Sequence, residues 1–460
     1  MRTAILFGLV AACSTPAAPD PYAPPALTDT NPDPNIVEVN LVATPATVEL
    51  LDGKAADVWA YRDGSVAGSE ARIPGPVLDV PQGAHVIVHF QNQLPDPTTV
   101  HWHGLRVPNA SDGTPSAQVP VAANGTFDYE FDAVDAGTFW YHPHVQGDVQ
   151  VERGLYGPVV VRGGVVPDVT ADRVMVLDDV KIEATGQLST TTDPLDVMLG
   201  RQGNVLLVDG VKGGTVTVAA GGRERWRFIN AANGRYFNLV LPGHPFLVIG
   251  WDGGMLEAPY TAEQLLIAPG ERYEVLVEFP EAAGTSLELQ TVFYDRGHHV
   301  PDPGPLDLAT IEVRSHERDV APLPTTWGTF VPLTTDAATP VQKVVLSEEE
   351  AGLSEPRFMI NGAQYPAVPP VPGVVGSTAI WEVRNDAEMD HPFHLHGMFF
   401  QVLDAAGVAP VHAGWKDTVN IPQMTTLRFA VRYETPGRWM YHCHILEHSE
   451  RGMMGELVLQ

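Results

Sequence analysis

The amino-acid sequence predicts an all-β protein built from three tandem domains. Short runs rich in Val, Ile, Phe and Thr recur along the 460 residues, and Gly, Pro, Asn and Asp break them, which is typical of strands joined by turns. No long heptad or amphipathic helical pattern is present. The third observation is an internal repeat, which divides the chain into three copies of one plan.

The repeat is anchored on an asparagine that closes an alternating strand. The segments VHFQN, WRFIN and WEVRN end at Asn92, Asn230 and Asn385. Nine and eleven residues later, the outer copies carry a His-x-His pair and the middle copy carries two leucines: His101 and His103, His394 and His396, and Leu239 and Leu241.

A second landmark follows the same rule. The segment GTFWYHPH at residues 137–144 matches GRWMYHCH at residues 437–444, whereas GTSLELQT at residues 284–291 has Leu289 and Thr291 at the histidine positions. We therefore predict three domains joined by turn-rich segments, with no metal ligands in the second. The predicted domains cover residues 36–165, 166–325 and 326–460.

The N-terminus is expected to direct export. Arg2 precedes an apolar run at residues 4–12, and the small residues before Cys13 form a processing site typical of a lipidated cysteine. An ordinary cleaved signal peptide and a misassigned start codon are the alternatives. Residues 1–13 are assigned to this signal, and the Pro-rich residues 14–35 to a tether. We expect a protein of the periplasm or cell envelope, anchored by lipid on Cys13.

The charge of the chain limits its partners. A net charge of −29 repels nucleic acid and anionic lipid headgroups and attracts cations. The simplest role of this negative charge is to keep the protein soluble outside the cytoplasm, and attraction of metal ions or cationic substrates is the alternative. No apolar run after the signal is long enough to span a membrane. A monomer that touches a membrane only through its N-terminal lipid is expected.

Four His-x-His pairs are the candidate metal ligands. Residues i and i+2 of a strand project from the same face, so each pair offers two imidazoles side by side. Neutral imidazole suits copper, zinc, iron and nickel. One pair alone would be a surface feature, but four pairs matched across the repeat indicate a site for more than one metal ion. The pairs are His101/His103, His142/His144, His394/His396 and His442/His444.

Cys443 lies between His442 and His444, so it must face the opposite way and serve a second site. Three residues are available to complete that site: His391, His448 and Met453. Two histidines, a thiolate and a weak axial methionine describe a blue-copper electron-transfer centre. Zinc is the competing metal, although Cys-x-x-Cys pairs are absent. Met454 is the alternative axial residue.

These motifs resemble the copper-binding motifs of the multicopper oxidases. The matching segments are HWHG from His101, HPH from His142, HPFHLHG from His391 and HCHILEHSERGMM from His442. RIPGPVLDV, DGG and GWKDTV are similar too, and the resemblance covers roughly residues 38–460. It implies three tandem cupredoxin-like Greek-key β-sandwich domains, as in laccases and in bilirubin and cuprous oxidases.

By position, the resemblance implies four copper ions. His391, Cys443, His448 and Met453 would bind the type 1 copper, and His101 and His394 the type 2 copper. Six residues would hold the type 3 pair: His103, His142, His144, His396, His442 and His444. A small reducing substrate would give single electrons to the type 1 copper, and O₂ would be reduced to water at the other three.

Three carboxylates are the predicted catalytic proton donors. Asp112, in SDG, stands where the family keeps such an aspartate, and a turn residue is the alternative. Several bacterial members carry an acidic residue directly after the last type 1 histidine, where this chain has Ser449. Glu447 or Glu450 is therefore expected to substitute.

The substrate is predicted from weaker signals. A laccase-like oxidase of diphenols or related aromatic donors is favoured, because the 11 methionines form no cluster like that of copper-oxidising relatives. Those relatives also tend to have Asp-x-Met where this chain has Ala387-Glu388-Met389. Oxidation of Cu(I) or another low-valent metal is the first alternative, and an envelope copper carrier without O₂ turnover is the second. His298 and His299 are expected to be exposed loop histidines, and a place at the border of a substrate cleft is the alternative.

Overall fold

Three two-sheet sandwiches follow one another along the chain. A computed structural model describes residues 24–189, 193–349, 356–404 and 412–460. The predicted signal at residues 1–13 and the first part of the predicted tether, residues 14–23, lie outside the described residues. From residue 24 onward the chain runs along the first domain, where the buried Leu27 donates its N–H to the carbonyl of Val77 at 2.8 Å.

The first domain contains eight strands in two sheets. The strands are β1 (Ile36–Leu51), β2 (Lys54–Asp63), β3 (Leu78–Pro81), β4 (His85–Asn92), β5 (His101–His103), β6 (Thr126–Asp132), β7 (Gly137–His142) and β8 (Gly157–Arg162). Their orders are β2-β1-β4-β6 and β3-β8-β7-β5. A short helix, α1 (Gly147–Gln150), follows the second His-x-His pair.

The second domain repeats this plan with more strands. It contains β9 (Ala171–Val180), α2 (Pro194–Leu199), β10 (Val205–Val208), β11 (Gly214–Ala219), β12 (Gly222–Asn230), β13 (Phe237–Val240), β14 (Phe246–Trp251), β15 (Gly254–Ala262), β16 (Leu265–Ile267), β17 (Arg272–Phe279), β18 (Ser286–Thr291) and β19 (Leu306–Arg314). Its sheets run β10-β9-β12-β17-β14-β15 and β11-β19-β18-β13-β16. Leu239, Leu241 and Leu289, at the histidine positions of the repeat, are buried in its core.

The third domain ends the described chain. It contains β20 (Val341–Glu349), β21 (Arg357–Ile360), β22 (Val371–Gly373), β23 (Thr378–Asn385), β24 (His391–Leu395), β25 (Phe400–Leu403), β26 (Thr418–Ile421), β27 (Thr426–Arg432), β28 (Gly437–Cys443), α3 (Leu446–Glu450) and β29 (Met454–Leu459). Its sheets run β21-β20-β23-β27-β25 and β22-β29-β28-β24-β26.

The three domains share one strand topology. In each domain the first strand pairs in parallel with the strand that ends on the anchoring asparagine: β1 with β4, β9 with β12, and β20 with β23. The all-β prediction is confirmed, and the predicted domain boundaries fall between β8 and β9 and between β19 and β20.

The cores explain why the histidine strands face outward from the sandwiches. Trp102, between His101 and His103, is buried in the first core against Tyr129 and Phe131. Leu395, between His394 and His396, is buried in the third core. Because side chains alternate along a strand, burying the middle residue turns both neighbouring imidazoles away from their own core.

One surface feature of the first domain predicts a pH-dependent contribution to stability. The Nε2 and Nδ1 atoms of His89 lie 2.9 Å from Glu38 and 2.8 Å from Asp128, and hydrogen bonds to Glu38 and then Asp128 raise the pKa of His89 above its usual value. A raised pKa means that the stabilisation is complete below about pH 6.5 and is lost as the pH rises through the folded-state value.

We expect His89→Gln to lower the melting temperature at pH 6 and to match the parent protein at pH 9. The side chain is partly exposed, so the loss should not exceed about 1 kcal/mol. Thermal unfolding of both proteins across this pH range tests the prediction. An equal difference at both pH values would contradict it.

Candidate metal centre

The four His-x-His pairs meet at one buried site between the first and third domains. Their eight imidazoles are at most 8% exposed. Two ring stacks join the domains, with centroids 3.9 Å apart for His101 and His396 and 3.8 Å apart for His103 and His394. The site is therefore shared by two domains that stand far apart in the sequence.

Strand register places the pairs next to each other within each domain. His101 of β5 is opposite His142 of β7, and His394 of β24 is opposite His442 of β28. Opposite residues of antiparallel strands lie about 5 Å apart, within the reach of one metal ion or two adjacent ions. Ligand-type atoms of three groups lie within 4.8 Å of one another: His101/His103/His142, His101/His394/His396 and His144/His396/His442.

Backbone carbonyls fix which nitrogen of several rings carries the proton. The Nδ1–H groups donate to the carbonyl oxygens of Asp112, Pro143, Asp417 and Cys443 at 2.7–3.0 Å, from His101, His142, His394 and His442 respectively. In the neutral rings, Nε2 then has a free lone pair that points into the site.

These lone pairs face each other instead of a protein donor. The Nε2 atoms of His396 and His442 are 3.0 Å apart, and those of His144 and His442 are 3.2 Å apart. The Nδ1–H of His396 donates to Asp112 at 3.1 Å, so its Nε2 is an acceptor like that of His442. Several other ring nitrogens are buried without a hydrogen-bond partner among the described residues: Nε2 of His101, His142 and His394, Nδ1 of His103 and both nitrogens of His444. Metal ions satisfy such an arrangement, so the residues fit a metal cluster.

Burial keeps these rings neutral, which is the form that binds metal. It lowers the pKa of His442 to about 3, and it lowers the pKa values of His103, His142, His144 and His444 far below the usual value. Neighbouring imidazoles lower them further, because two positive charges so close together repel.

A second group lies on the other face of β28. The Sγ atom of Cys443 is 3.4 Å from Nδ1 of His391 and 3.8 Å from Nδ1 of His448, and the two Nδ1 atoms are 3.3 Å apart. The Nε2–H of His448 donates to the carbonyl of Met198 at 3.1 Å, which leaves Nδ1 unprotonated. All three side chains are buried, so their donor atoms converge without solvent.

The two adjacent methionines differ in position. Met453 is fully buried in the same apolar cluster as Cys443, and its carbonyl accepts the N–H of Cys443 at 3.1 Å. Met454 begins β29, where it is opposite His442 in the strand ladder. This placement favours Met453 as the methionine that belongs with Cys443, His391 and His448, which we call the cysteine group.

Burial raises the pKa of the Cys443 thiol well above its usual value. A thiol in this setting stays protonated unless a cation replaces the proton, because a bare thiolate would be an uncompensated buried charge. The cysteine group therefore also fits a metal ion.

The predicted proton donors lie in two places. Asp112 is buried beside the histidine cluster and accepts from His396 and from the hydroxyl of Thr114. Burial alone would raise the pKa of Asp112, but the neighbouring His396 and His101 hold it below its usual value. Asp112 is thus more than a turn residue, since its carboxylate orients a ring of the cluster.

Glu447 and Glu450 lie on α3, where the three domains meet. Glu447 accepts from the side chain of Asn233 at 2.8 Å and from the N–H of Arg201 at 3.0 Å, and Glu450 accepts from the N–H of Gly147 at 2.7 Å. Burial raises the pKa of each to about 7. Ser449 donates its hydroxyl to the carbonyl of Leu446 within the same helix, so its side chain is occupied locally.

Sequence reasoning missed a buried ion pair that holds two cluster histidines. Asp417 accepts from Nη1 of Arg272 at 2.6 Å and lies 3.2 Å from Nε2 of His103. Thr418 contacts Nε2 of His103 at 3.0 Å and Nδ1 of His394 at 3.1 Å. Asp417 stands in the GWKDTV segment, but nothing in that segment marks a partner in the second domain.

The prediction that His298 and His299 are both exposed is wrong for His298. His299 is exposed as expected, whereas the side chain of His298 is 10% exposed and its Nε2 lies 2.8 Å from Oε1 of Glu348. The loop docks against the third domain, and a sequence pattern alone does not report such docking.

Comparison with known proteins agrees with this geometry. Three sequence models, each described as multicopper oxidase, match residues 50–165, 168–286 and 334–460. The chain belongs to the multicopper oxidase family. Its three sandwiches are the cupredoxin-like domains of that family, and membership implies a copper-dependent oxidoreductase that uses O₂.

Individual relatives cover most of the chain. It is 29% identical to multicopper oxidase MmcO of Mycobacterium tuberculosis, over 92% of this chain and 86% of the relative. A multicopper oxidase structure from Campylobacter jejuni, titled a metallo-oxidase, superposes with a TM-score of 0.83 and 28% identity over 95% and 94% of the two chains. A laccase structure from Pediococcus acidilactici gives 0.81 and 30% over 95% and 93%.

Within the described ranges, no helix has the length and apolarity needed to cross a membrane.

Thr418 offers a test of how the cluster histidines are held. Partners behind metal-bound histidines usually set affinity by about 10- to 100-fold, so we expect Thr418→Val to weaken copper binding by that order. Titration with a copper-chelating competitor measures the change. Thr426→Val is the control, because Thr426 is exposed at the start of β27. Equal affinities in the two variants would contradict the assignment.

Proposed function

We propose that this multicopper oxidase is laccase-like and couples the one-electron oxidation of phenols or aromatic amines to the four-electron reduction of O₂ to water. One observation carries the proposal. Cys443 belongs to one buried group, and its chain neighbours His442 and His444 belong to the other. A donor site and an acceptor site are thus joined through two short covalent paths.

The geometry supports four copper ions held by this chain's residues. His391, Cys443, His448 and Met453 would hold the type 1 ion, and His101 and His394 the type 2 ion. The type 3 pair would be held by six histidines: His103, His142, His144, His396, His442 and His444. When bound, copper would supply one-electron redox chemistry, which accepts electrons singly from the donor and returns four to O₂.

The protein residues would control water and protons at this site. The burial of the imidazoles excludes bulk solvent from the cluster. Asp112 accepts the Nδ1–H of His396, so its carboxylate lies directly beside the cluster. The carboxyl groups of Glu447 and Glu450, whose pKa values are raised to about 7, can hold protons on α3, where the three domains meet. Among the described residues, Asp112 is hydrogen-bonded to a cluster histidine and neither glutamate is, so Asp112 is the one of the three predicted carboxylates in contact with the cluster.

The methionines support an organic donor. Met389 and Met398 are buried in the core of the third domain, and Met440 is buried outside that core cluster. Met424 is 63% exposed, and it is the one strongly exposed methionine among the described residues. A surface group of thioethers that would select Cu(I) is therefore absent from the described part of the chain.

Oxidation of a low-valent metal ion is the second candidate. The Campylobacter jejuni relative is titled a metallo-oxidase. The net charge of −29 would also attract cations to the surface.

We also propose that the protein is exported and that a lipid attached to Cys13 anchors it to the membrane. Mass spectrometry of the mature N-terminus decides between a lipidated cysteine and a cleaved signal peptide. Recovery of Cys13→Ser in the soluble fraction would support the anchor.

Oxygen uptake by the copper-loaded protein tests the function. We expect about four copper ions per chain and uptake driven by a methoxyphenol more strongly than by Cu(I), each assayed in parallel. Uptake driven mainly by Cu(I) would transfer the function to metal oxidation. One copper per chain without uptake would establish a carrier instead.

The adjacent methionines allow a matched test of the type 1 site. A thioether near the copper lowers its reduction potential relative to a non-coordinating leucine, so Met453→Leu should raise it. Met454→Leu should leave it unchanged, because Met454 faces His442 in the strand ladder. Spectroelectrochemical titration measures both. A shift in Met454→Leu alone would reverse the assignment.

A further inference from the structure

The two histidines of the cysteine group differ in what faces their outer nitrogen. Nε2 of His448 donates to a neutral carbonyl, that of Met198. Nε2 of His391 has no hydrogen-bond partner among the described residues, and it lies 4.0 Å from Oε2 of Glu348. That oxygen is also buried without a partner. A carboxylate is therefore aimed at one of the two rings.

Glu348 is held in this orientation by its other oxygen. Oε1 accepts the Nε2–H of His298 at 2.8 Å and the N–H of Glu388 at 2.9 Å. The side chain is 6% exposed, so it has little room to rotate. With Oε1 fixed from two sides, Oε2 must point toward His391.

The second domain supplies the residue that locks Glu348. Gly297 pairs with Met389 in an isolated antiparallel bridge, and the carbonyl of Arg296 accepts the N–H of Asp390. The loop thus docks on the segment directly before His391. A Cβ at Gly297 would lie 2.1 Å from the carbonyl oxygen of Glu388, so only glycine fits there.

The loop backbone turns sharply to present His298. His298 and His299 have φ angles of 50° and 51°, in the left-handed region that residues other than glycine seldom adopt. Such strain persists only where surrounding contacts maintain it. Here those contacts are the bridge at Gly297 and the bond from His298 to Glu348.

We propose that Glu348 is a positioning residue of the type 1 site, which lowers the reduction potential of the copper by placing a carboxylate at the outer edge of His391. The inference rests on the proposed function, since it requires copper at the cysteine group. Oxidised copper carries one more positive charge than reduced copper. A fixed negative charge beside a ligand therefore favours the oxidised form, and little solvent is present to screen it.

The protonation of His391 agrees with this arrangement. When Nδ1 faces the metal, Nε2 must carry the ring proton. Oε2 lies 4.0 Å from this nitrogen, a separation that one water molecule at ~2.8 Å from both atoms would bridge. The second domain, which has no copper ligands of its own, would thus set the electrostatics of the donor site.

The test compares Glu348→Gln with Glu349→Gln in the copper-loaded full chain. Glu349 is the next residue of β20, and its side chain is 58% exposed and points away from the site toward Arg357. Both variants remove one negative charge, but only the first removes it beside His391. We expect the type 1 potential to rise in Glu348→Gln and to stay at the parent value in Glu349→Gln, with the thiolate–copper absorption retained in both.

The outcomes separate this inference from the function on which it depends. A parent protein without thiolate–copper absorption would contradict the proposed function. Absorption in all three proteins with an unchanged or lower potential in Glu348→Gln would overturn the role of Glu348 alone. If Glu348→Gln does not retain copper, Glu348→Asp decides, because the shorter side chain withdraws the charge from His391. A raised potential there supports the proposal, and an unchanged potential contradicts it.

Discussion

The two-residue period of the β-strand is the constraint on which the metal centre depends. A His-x-His segment whose middle residue is anchored in a core must present both imidazoles on the opposite face. Trp102 and Leu395 are such anchors. In β28 the middle residue is Cys443, and the same alternation produces two sites from three consecutive residues. With a different side-chain period, β28 could not supply ligands to the histidine cluster and to the cysteine group from adjacent residues.

The second domain supports the centre without supplying a ligand. Arg272 pairs with Asp417 behind His103, Met198 accepts from His448, and His298 holds Glu348. Each contact crosses a domain boundary. The residue that it holds is either a proposed copper ligand or a neighbour of one. The leucines at the histidine positions of this copy are buried in its core, so these positions contribute packing in the second domain where they contribute candidate ligands in the other two.

The sequence sufficed to predict the fold class, the three repeats and the histidine and cysteine set that the structure brings together. Those features are local, because alternation and repeat spacing can be read within a few residues. The support residues could not be predicted in the same way. Arg272 and Asp417 are separated by 145 positions, and no local pattern pairs them. The sequence predicts that His298 is an exposed loop histidine, and only the docking of that loop on the third domain shows otherwise.

The division of the cluster between the first and third domains sets an order of assembly. A ribosome completes the first domain long before β24 and β28 exist, so half of the imidazoles are formed while the other half are still unmade. Until the last strands fold, no complete cavity is available, and a metal ion that arrived early would find only a partial and open set of ligands. Loading of the full cluster must therefore follow synthesis of the whole chain. The length of protein between the two halves acts as a delay between translation and maturation.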